Sequence, residues 1–230
     1  MSDNRTALKR VAAEAAVELV QDDMVVGLGT GSTAALAIEA LIRRVREGLR
    51  IVGIPTSEQS AAQARAGGIP LVDFTTHTRI DLTIDGADEI RRDTLDLIKG
   101  LGGALLREKI VAAASARLVI VADSPKLVAT LGETAPVPVE VVSFGWQATA
   151  TRIEALGAEA RLRARADGEP FVTDNGNLIL DARFGQIADA PALESALHGI
   201  VGVVETGLFI RRANLALVAG ESGVNRFEPQ

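Results

Sequence analysis

The feature that most limits the fold is a series of short, nearly all-apolar runs separated by segments of helical period. Met24–Leu28, Ile51–Ile54, Ile80–Ile84, Leu118–Val121 and Leu215–Val218 are too short for helices, and they predict strands. Leu71–Phe74 and Leu95–Ile98 read the same way. Between them, Leu8, Val11, Ala12, Ala15 and Leu19 recur at helical spacing over residues 6–20, as do Leu36, Ala40, Leu41 and Val45 further on. Two more helices are predicted at Glu58–Ala66, closed by Gly67-Gly68, and at Ala104–Ala114. Strands without a polar face need cover on both sides, and strands joined by helices run parallel. The expectation is an α/β fold: a Rossmann-like, mostly parallel sheet with helices on both faces.

The pattern changes at Ala135-Pro136-Val137-Pro138. A strand at Val139–Val142, a helix at Ala148–Leu156 and a strand at Glu159–Arg163 follow. Phe171–Thr173 and Asn177–Asp181 read as a hairpin, because Asp174-Asn175-Gly176 is turn chemistry. A helix at Pro191–His198 and a strand at Val203–Phe209 close the section. This order is that of a ferredoxin-like α+β unit. The expected organisation is a Rossmann-like catalytic domain of residues 1–131 and 206–230, with a smaller α+β domain of residues 132–205 inserted.

Composition removes several classes of function. Cysteine is absent, which excludes disulfide scaffolds, thiolate zinc sites, iron–sulfur clusters and thiol nucleophiles. The formal net charge of −6 repels phosphate backbones, and aromatic residues at 3% leave little to stack on bases, so no nucleic-acid partner is expected. The longest apolar runs fall far short of a membrane span, and Met1–Asn4 is polar and unlike a leader. A soluble, cytoplasmic protein with no membrane partner is expected.

Three predicted strands end in chemistry-bearing loops. Gly27-Leu28-Gly29-Thr30-Gly31-Ser32-Thr33 joins a strand to a helix, where backbone N–H groups and the helix dipole favour an anion. A dinucleotide fingerprint wants Gly where Ser32 stands and an acidic end to the next strand, which instead ends at Pro55-Thr56-Ser57. A nucleotide P-loop wants a lysine that this loop lacks. A cradle for the phosphate of a small substrate, or merely a tight turn, remains. Asp85-Gly86-Ala87-Asp88-Glu89 follows the strand Ile80–Ile84, either as a working pair of carboxylates or as an Asx turn or helix cap. Lys99-Gly100-Leu101-Gly102-Gly103 brings a cation and a backbone that can approach a ligand. Glu108 lies one turn into the following helix, within a triplet, Arg107-Glu108-Lys109, that by itself reads as a solvated face. Lys126 lies beyond a fourth strand end; Lys9 is a weaker candidate, and His77 and His198 read as incidental. Convergence of these ends on one crevice favours a ligand site.

Taken together with Pro136-Val137-Pro138-Val139-Glu140, Val172-Thr173-Asp174-Asn175-Gly176-Asn177, Gly202-Val203-Val204-Glu205 and Gly207-Leu208-Phe209, these motifs resemble type A ribose-5-phosphate isomerases, in the same order and over nearly the whole chain. The resemblance implies interconversion of ribose 5-phosphate and ribulose 5-phosphate through an enediolate, with no metal or organic cofactor, in a homodimer or dimer of dimers. It makes Glu108 the catalytic base and Asp85, Asp88 and Lys99 the acid–base and charge-stabilising groups. Thr30, Gly31, Ser32, Thr33, Gly86, Ala87, Gly100, Leu101, Gly102 and Lys126 become substrate-binding positions. Leu101 stands where several members carry Gly, so its side chain must point away if its N–H meets substrate. A non-catalytic sugar-phosphate sensor, or a related isomerase or deaminase, is the alternative; a sensor needs no base.

Overall fold

The computed structural model describes residues 2–229. From the N-terminus run α1 (Ser2–Val17), β1 (Val25–Leu28), α2 (Ser32–Arg46), β2 (Val52–Pro55), α3 (Glu58–Gly67), β3 (Leu82–Asp85), β4 (Glu89–Arg91), β5 (Leu97–Ile98), α4 (Leu105–Ala114) and β6 (Leu118–Asp123). After a single 3-10 turn at Ser124–Lys126 come β7 (Leu127–Val128), β8 (Val137–Val141), α5 (Trp146–Glu154), β9 (Glu159–Leu162), β10 (Leu178–Arg183), α6 (Ala190–His198), β11 (Val203–Thr206), β12 (Leu208–Phe209), β13 (Leu215–Gly220) and β14 (Gly223–Phe227).

The apolar runs form the main sheet, ordered β14-β13-β6-β3-β1-β2, in which only β14 is antiparallel. Alternation along each strand separates two cores. Val119 and Val121 of β6, with Leu215 and Leu217 of β13, face Ala12, Ala16, Ile38 and Leu41 of α1 and α2. Leu118 and Ile120, with Ala216 and Val218, face Ala112 of α4, Ile90 of β4 and Phe209 of β12. The expected α/β architecture with cover on both faces is what forms.

The unit β8-α5-β9-β10-α6-β11 builds an antiparallel sheet ordered β11-β8-β10-β9, the ferredoxin-like arrangement. Its core also takes in Ile98, Val128, Leu131 and Leu208 from flanking segments.

Local differences from expectation have local causes. Leu71–Phe74 yields one bridge, Gly53 to Leu71, because the Asp73 carboxylate accepts the Thr75 N–H and turns the chain. Val203–Phe209 divides at Gly207, where any Cβ would lie 2.3 Å from the Lys99 carbonyl. The halves join different sheets, β11 beside β8 and β12 beside β5. The strand expected at Leu95–Ile98 shortens to Leu97–Ile98 because Leu95 has a positive φ of 55°. The third sheet, β12-β5-β4-β7, has strands of two or three residues, too short to leave a period in sequence.

Candidate active site

Within the main sheet the parallel strands run β2-β1-β3-β6-β13, so the chain leaves β1 in one direction and returns on the other side as β3. Connections diverging at such a switch point open a crevice beyond the strands' carboxyl ends. The glycine loop after β1, the acidic loop after β3 and Lys126 after β6 all border one cleft there.

The glycines let the β1 loop press on β3. A Cβ on Gly27 would fall 1.9 Å from Thr83 Oγ1, and one on Gly29 would fall 2.3 Å from Asp85 Oδ1 and 2.6 Å from its Cα. Gly31 has open space but a φ of +106°, which favours glycine. The Thr30 hydroxyl lies among those of Thr56, Ser57 and Ser60, bracing the loop from behind. Helix α2 then starts at Ser32 without a side-chain cap, leaving its first N–H groups toward the cleft, and Lys9 Nζ donates to Ser32 Oγ at 2.9 Å.

Behind the cleft lies a buried cluster of charge. Lys99 Nζ is 2.9 Å from Asp85 Oδ2 and 3.4 Å from Glu108 Oε2, and it donates to the Gly86 carbonyl at 2.6 Å. All three side chains are at most 4% exposed. Asp85 Oδ1 accepts the N–H groups of Thr30 and Gly86, at 3.1 and 2.8 Å. Glu108 Oε2, by contrast, has no hydrogen-bond partner among the described residues.

One ammonium cannot neutralise two buried carboxylates, and the protonation states follow from that. Burial pushes the Asp85 carboxyl up, against the pull of Lys99 and the two N–H donors. Burial pulls Lys99 down, but Asp85 and Glu108 outweigh it and hold the ammonium at about 12. Burial raises Glu108 to about 8, aided by the negative charge of Asp85 and Asp88 and opposed by Lys99. At about 8, Glu108 is placed to exchange its proton near neutral pH.

The triplet Arg107-Glu108-Lys109 is not a solvated face. Arg107 Nη1 pairs with Glu58 at 2.9 Å and its Nε donates to Asn175, while buried Lys109 pairs with Glu205 at 2.7 Å and Glu194 at 3.2 Å. His198 Nε2 lies 2.8 Å from the same Glu205 and His77 is away from the cleft.

The cleft is lined by Thr30, Gly31, Ser32, Thr33, Gly86, Ala87, Asp88, Lys99, Gly100, Gly102, Glu108 and Lys126, all expected from sequence. Two expected residues do not line it. Asp85 sits behind Lys99 with both oxygens engaged, so Asp85 and Asp88 do not face the cleft as a pair. Leu101 turns its side chain outward, 42% exposed, and gives its N–H to Asp88 Oδ2 at 2.9 Å. Arg5, Lys9, Ala122 and Asp123 line the cleft as well. Arg5 Nε binds buried Asp123 Oδ2 at 2.9 Å, leaving Asp123 Oδ1 without a partner among the described residues. The sequence signal for Lys9 was its place in α1; for Arg5 and Asp123, 118 residues apart, there was none.

The model of the family described as ribose 5-phosphate isomerase A (phosphoriboisomerase A) matches residues 52–223. A curated relative from Gloeobacter violaceus, named ribose-5-phosphate isomerase A, is 60% identical and is covered, like this chain, over 96% of its length. The solved ribose 5-phosphate isomerase A of Methanocaldococcus jannaschii superposes with a TM-score of 0.93 at 42% identity, covering 96% of this chain and 98% of that one. A D-ribose-5-phosphate isomerase solved in complex with phospho-erythronic acid gives 0.94 at 38% identity, over 97% and 99% of the two chains.

Proposed function

The chain belongs to the ribose 5-phosphate isomerase A family and interconverts ribose 5-phosphate and ribulose 5-phosphate in the pentose phosphate pathway; from that premise we propose that Glu108 is the base that carries the proton. The observation that supports this most directly is the carboxyl of Glu108, buried at the cleft wall, short of a hydrogen-bond partner and raised to about 8. A group so placed takes and returns a proton with little driving force lost in either direction.

The reaction acts on the open-chain aldehyde. Glu108 takes the proton from C2; the C–H electron pair becomes the C1=C2 double bond, and the carbonyl pair moves onto O1. Lys99 and the backbone N–H of Gly102, which has no acceptor among the described residues, stabilise the enediolate, in the manner of an oxyanion hole. Asp88, at the cleft wall, transfers the hydroxyl proton of O2 to O1. Glu108 then delivers its proton to C1 as the C2 carbonyl forms. Asp85 acts through Lys99: it holds the ammonium in place and charged. The phosphate occupies the start of α2, bordered by Ser32, Thr33, Lys9 and Lys126. A sensor would have no use for a buried base beside a fixed cation.

The pH profile tests this reading. Because Glu108 must be ionised to accept the C2 proton, kcat/KM rises with pH and levels off above about 8. At pH 6 it falls to about one-hundredth of the plateau. Lys99, held at about 12, stays charged over that range. A profile flat from pH 6 to 9 would remove Glu108 as the base.

A homodimer or dimer of dimers in the cytoplasm is the setting we propose. Among the described residues no helix is long and apolar enough to cross a membrane. Phe144 and Val201 are 93% and 94% exposed beside Val142, an apolar face of the kind that self-association covers. Sedimentation at micromolar concentration is expected to give a dimer or larger; a monomer would overturn the assembly.

A further inference from the structure

A planar trans peptide directs its C=O and N–H to opposite sides, so whatever holds the carbonyl also aims the amide sharing its plane. The Leu101 carbonyl shares its plane with the N–H of Gly102, and Gly102 lines the cleft. That carbonyl accepts a hydrogen bond from Arg163 Nη1 at 3.1 Å, and the same nitrogen donates to the Gly100 carbonyl at 2.9 Å. The neighbouring amides are already engaged: the Leu101 N–H with Asp88, and the Gly103 N–H with the Gly100 carbonyl. The Gly102 N–H has no acceptor among the described residues.

Arg163 follows β9 and does not line the cleft. Its guanidinium is fixed from the far side by Asp181 of β10, which accepts from Nε at 2.9 Å and also from Nη2. The Phe171 ring lies 5.9 Å from its carbon and closes on Gly103, where a Cβ would come within 2.4 Å of the ring. A fork with all its donors in one plane can grip two carbonyls and a carboxylate together, and a lysine cannot.

We propose that Arg163, oriented by Asp181, is a positioning residue for the isomerisation: by holding the Gly100 and Leu101 carbonyls away from the cleft it aims the Gly102 N–H at the enediolate. The inference rests on the reading of the Lys99 loop as the site of charge stabilisation.

The test compares Arg163→Lys, Arg163→Met and Asp181→Asn for kcat and KM, and for inhibition by two probes. One probe is inorganic phosphate; the other is a phosphorylated aldonate one carbon shorter than the substrate, whose carboxylate stands in for the enediolate oxygens. Arg163→Lys keeps the charge and stem, so it serves if Arg163→Met fails to fold. Loss of a donor used mainly in the transition state lowers kcat about 10- to 100-fold with KM within about twofold. Aldonate binding weakens in step with kcat, and phosphate inhibition is unchanged. Wild-type kcat in Arg163→Lys overturns the proposal, as does equal weakening toward both probes, which signals general loosening. Activity retained in Lys99→Met would defeat the underlying reading instead; an inactive Lys99→Met with an unimpaired Arg163→Lys defeats this inference alone.

Discussion

Glu108→Gln is expected to lose turnover by about 10³-fold or more while the protein still binds its sugar phosphate and becomes more stable at alkaline pH. The two effects share one cause. A glutamine is the shape of the protonated acid, so it fits beside Lys99 and Asp85 but cannot accept a proton from carbon. The stability change follows from linkage. Glu108 titrates near 8 in the folded protein against an ordinary value of 4.5, so the native state holds this proton more tightly than the unfolded chain. Its favourable contribution is complete below about 4.5 and is lost as pH rises through 8, by roughly 1.4 kcal/mol per unit. At pH 9 the wild type has lost roughly 3–5 kcal/mol that the neutral amide never loses, the pull of Lys99 on the ionised carboxylate being already contained in the value of about 8. In a chain of this size that corresponds to a Tm about 5 °C or more above wild type at pH 9, and near parity at pH 5. Thermal unfolding at the two pH values, alongside assays of conversion, reads both effects. Near-normal conversion would dismiss Glu108 from the mechanism; equal Tm shifts at both pH values would show that its carboxyl does not titrate in this range.

Much of this was legible in the chain. The main strands carried a pattern that only a doubly covered parallel sheet can bury, and they formed close to where the apolar runs lie. The glycine loop, Asp88 and Lys126 were legible because parallel strands send their carboxyl ends to one crevice, so residues beyond several strand ends become neighbours, whereas Lys99 reaches the same cleft from β5, an antiparallel strand of the third sheet. Glu108 was different. Its triplet reads as surface, and the family resemblance is what makes it the base; Glu108 is buried beside Lys99, and Lys109 next to it beneath Phe209 and Glu205, partners remote in sequence. What stayed hidden depended on such distant meetings. Asp85 and Asp88 look equivalent on the page, yet the packing of Gly29 against Asp85 puts one behind Lys99 and leaves the other at the cleft. The break at Gly207 needed knowledge that the Lys99 carbonyl would pass 2.3 Å from its missing Cβ. Arg163 carried no signal at all, since the carbonyls it holds lie more than sixty residues away.

Lys99→Met should injure the fold and the chemistry together, and the two losses can be pulled apart. Methionine retains much of the apolar stem above the Phe209 ring, which the ammonium now faces at 5.4 Å. What disappears is the cation between Asp85 and Glu108 and the donor to the Gly86 carbonyl. Breaking a buried pair by removing one partner typically costs about 3–5 kcal/mol, because a charge is left without compensation. Here the cost depends on pH: both acids are pushed further up without the lysine, so the variant is destabilised least at acid pH, where protonation removes the stranded charge. The deficit grows toward pH 8, where wild-type Asp85 relies on Lys99. Activity falls by about 10²–10³-fold or more at any pH, because the enediolate loses its nearest positive charge. Adding Glu108→Gln to Lys99→Met removes one of the two stranded acids, so the double variant should unfold at a higher temperature than Lys99→Met and remain inactive. Such a partial recovery of stability, measured as a coupling between the two sites at pH 8, is the signature of direct charge pairing. If the two substitutions were simply additive in Tm, Lys99 would be stabilising the fold through Asp85 and Gly86 alone, and its 3.4 Å approach to Glu108 would carry no energy.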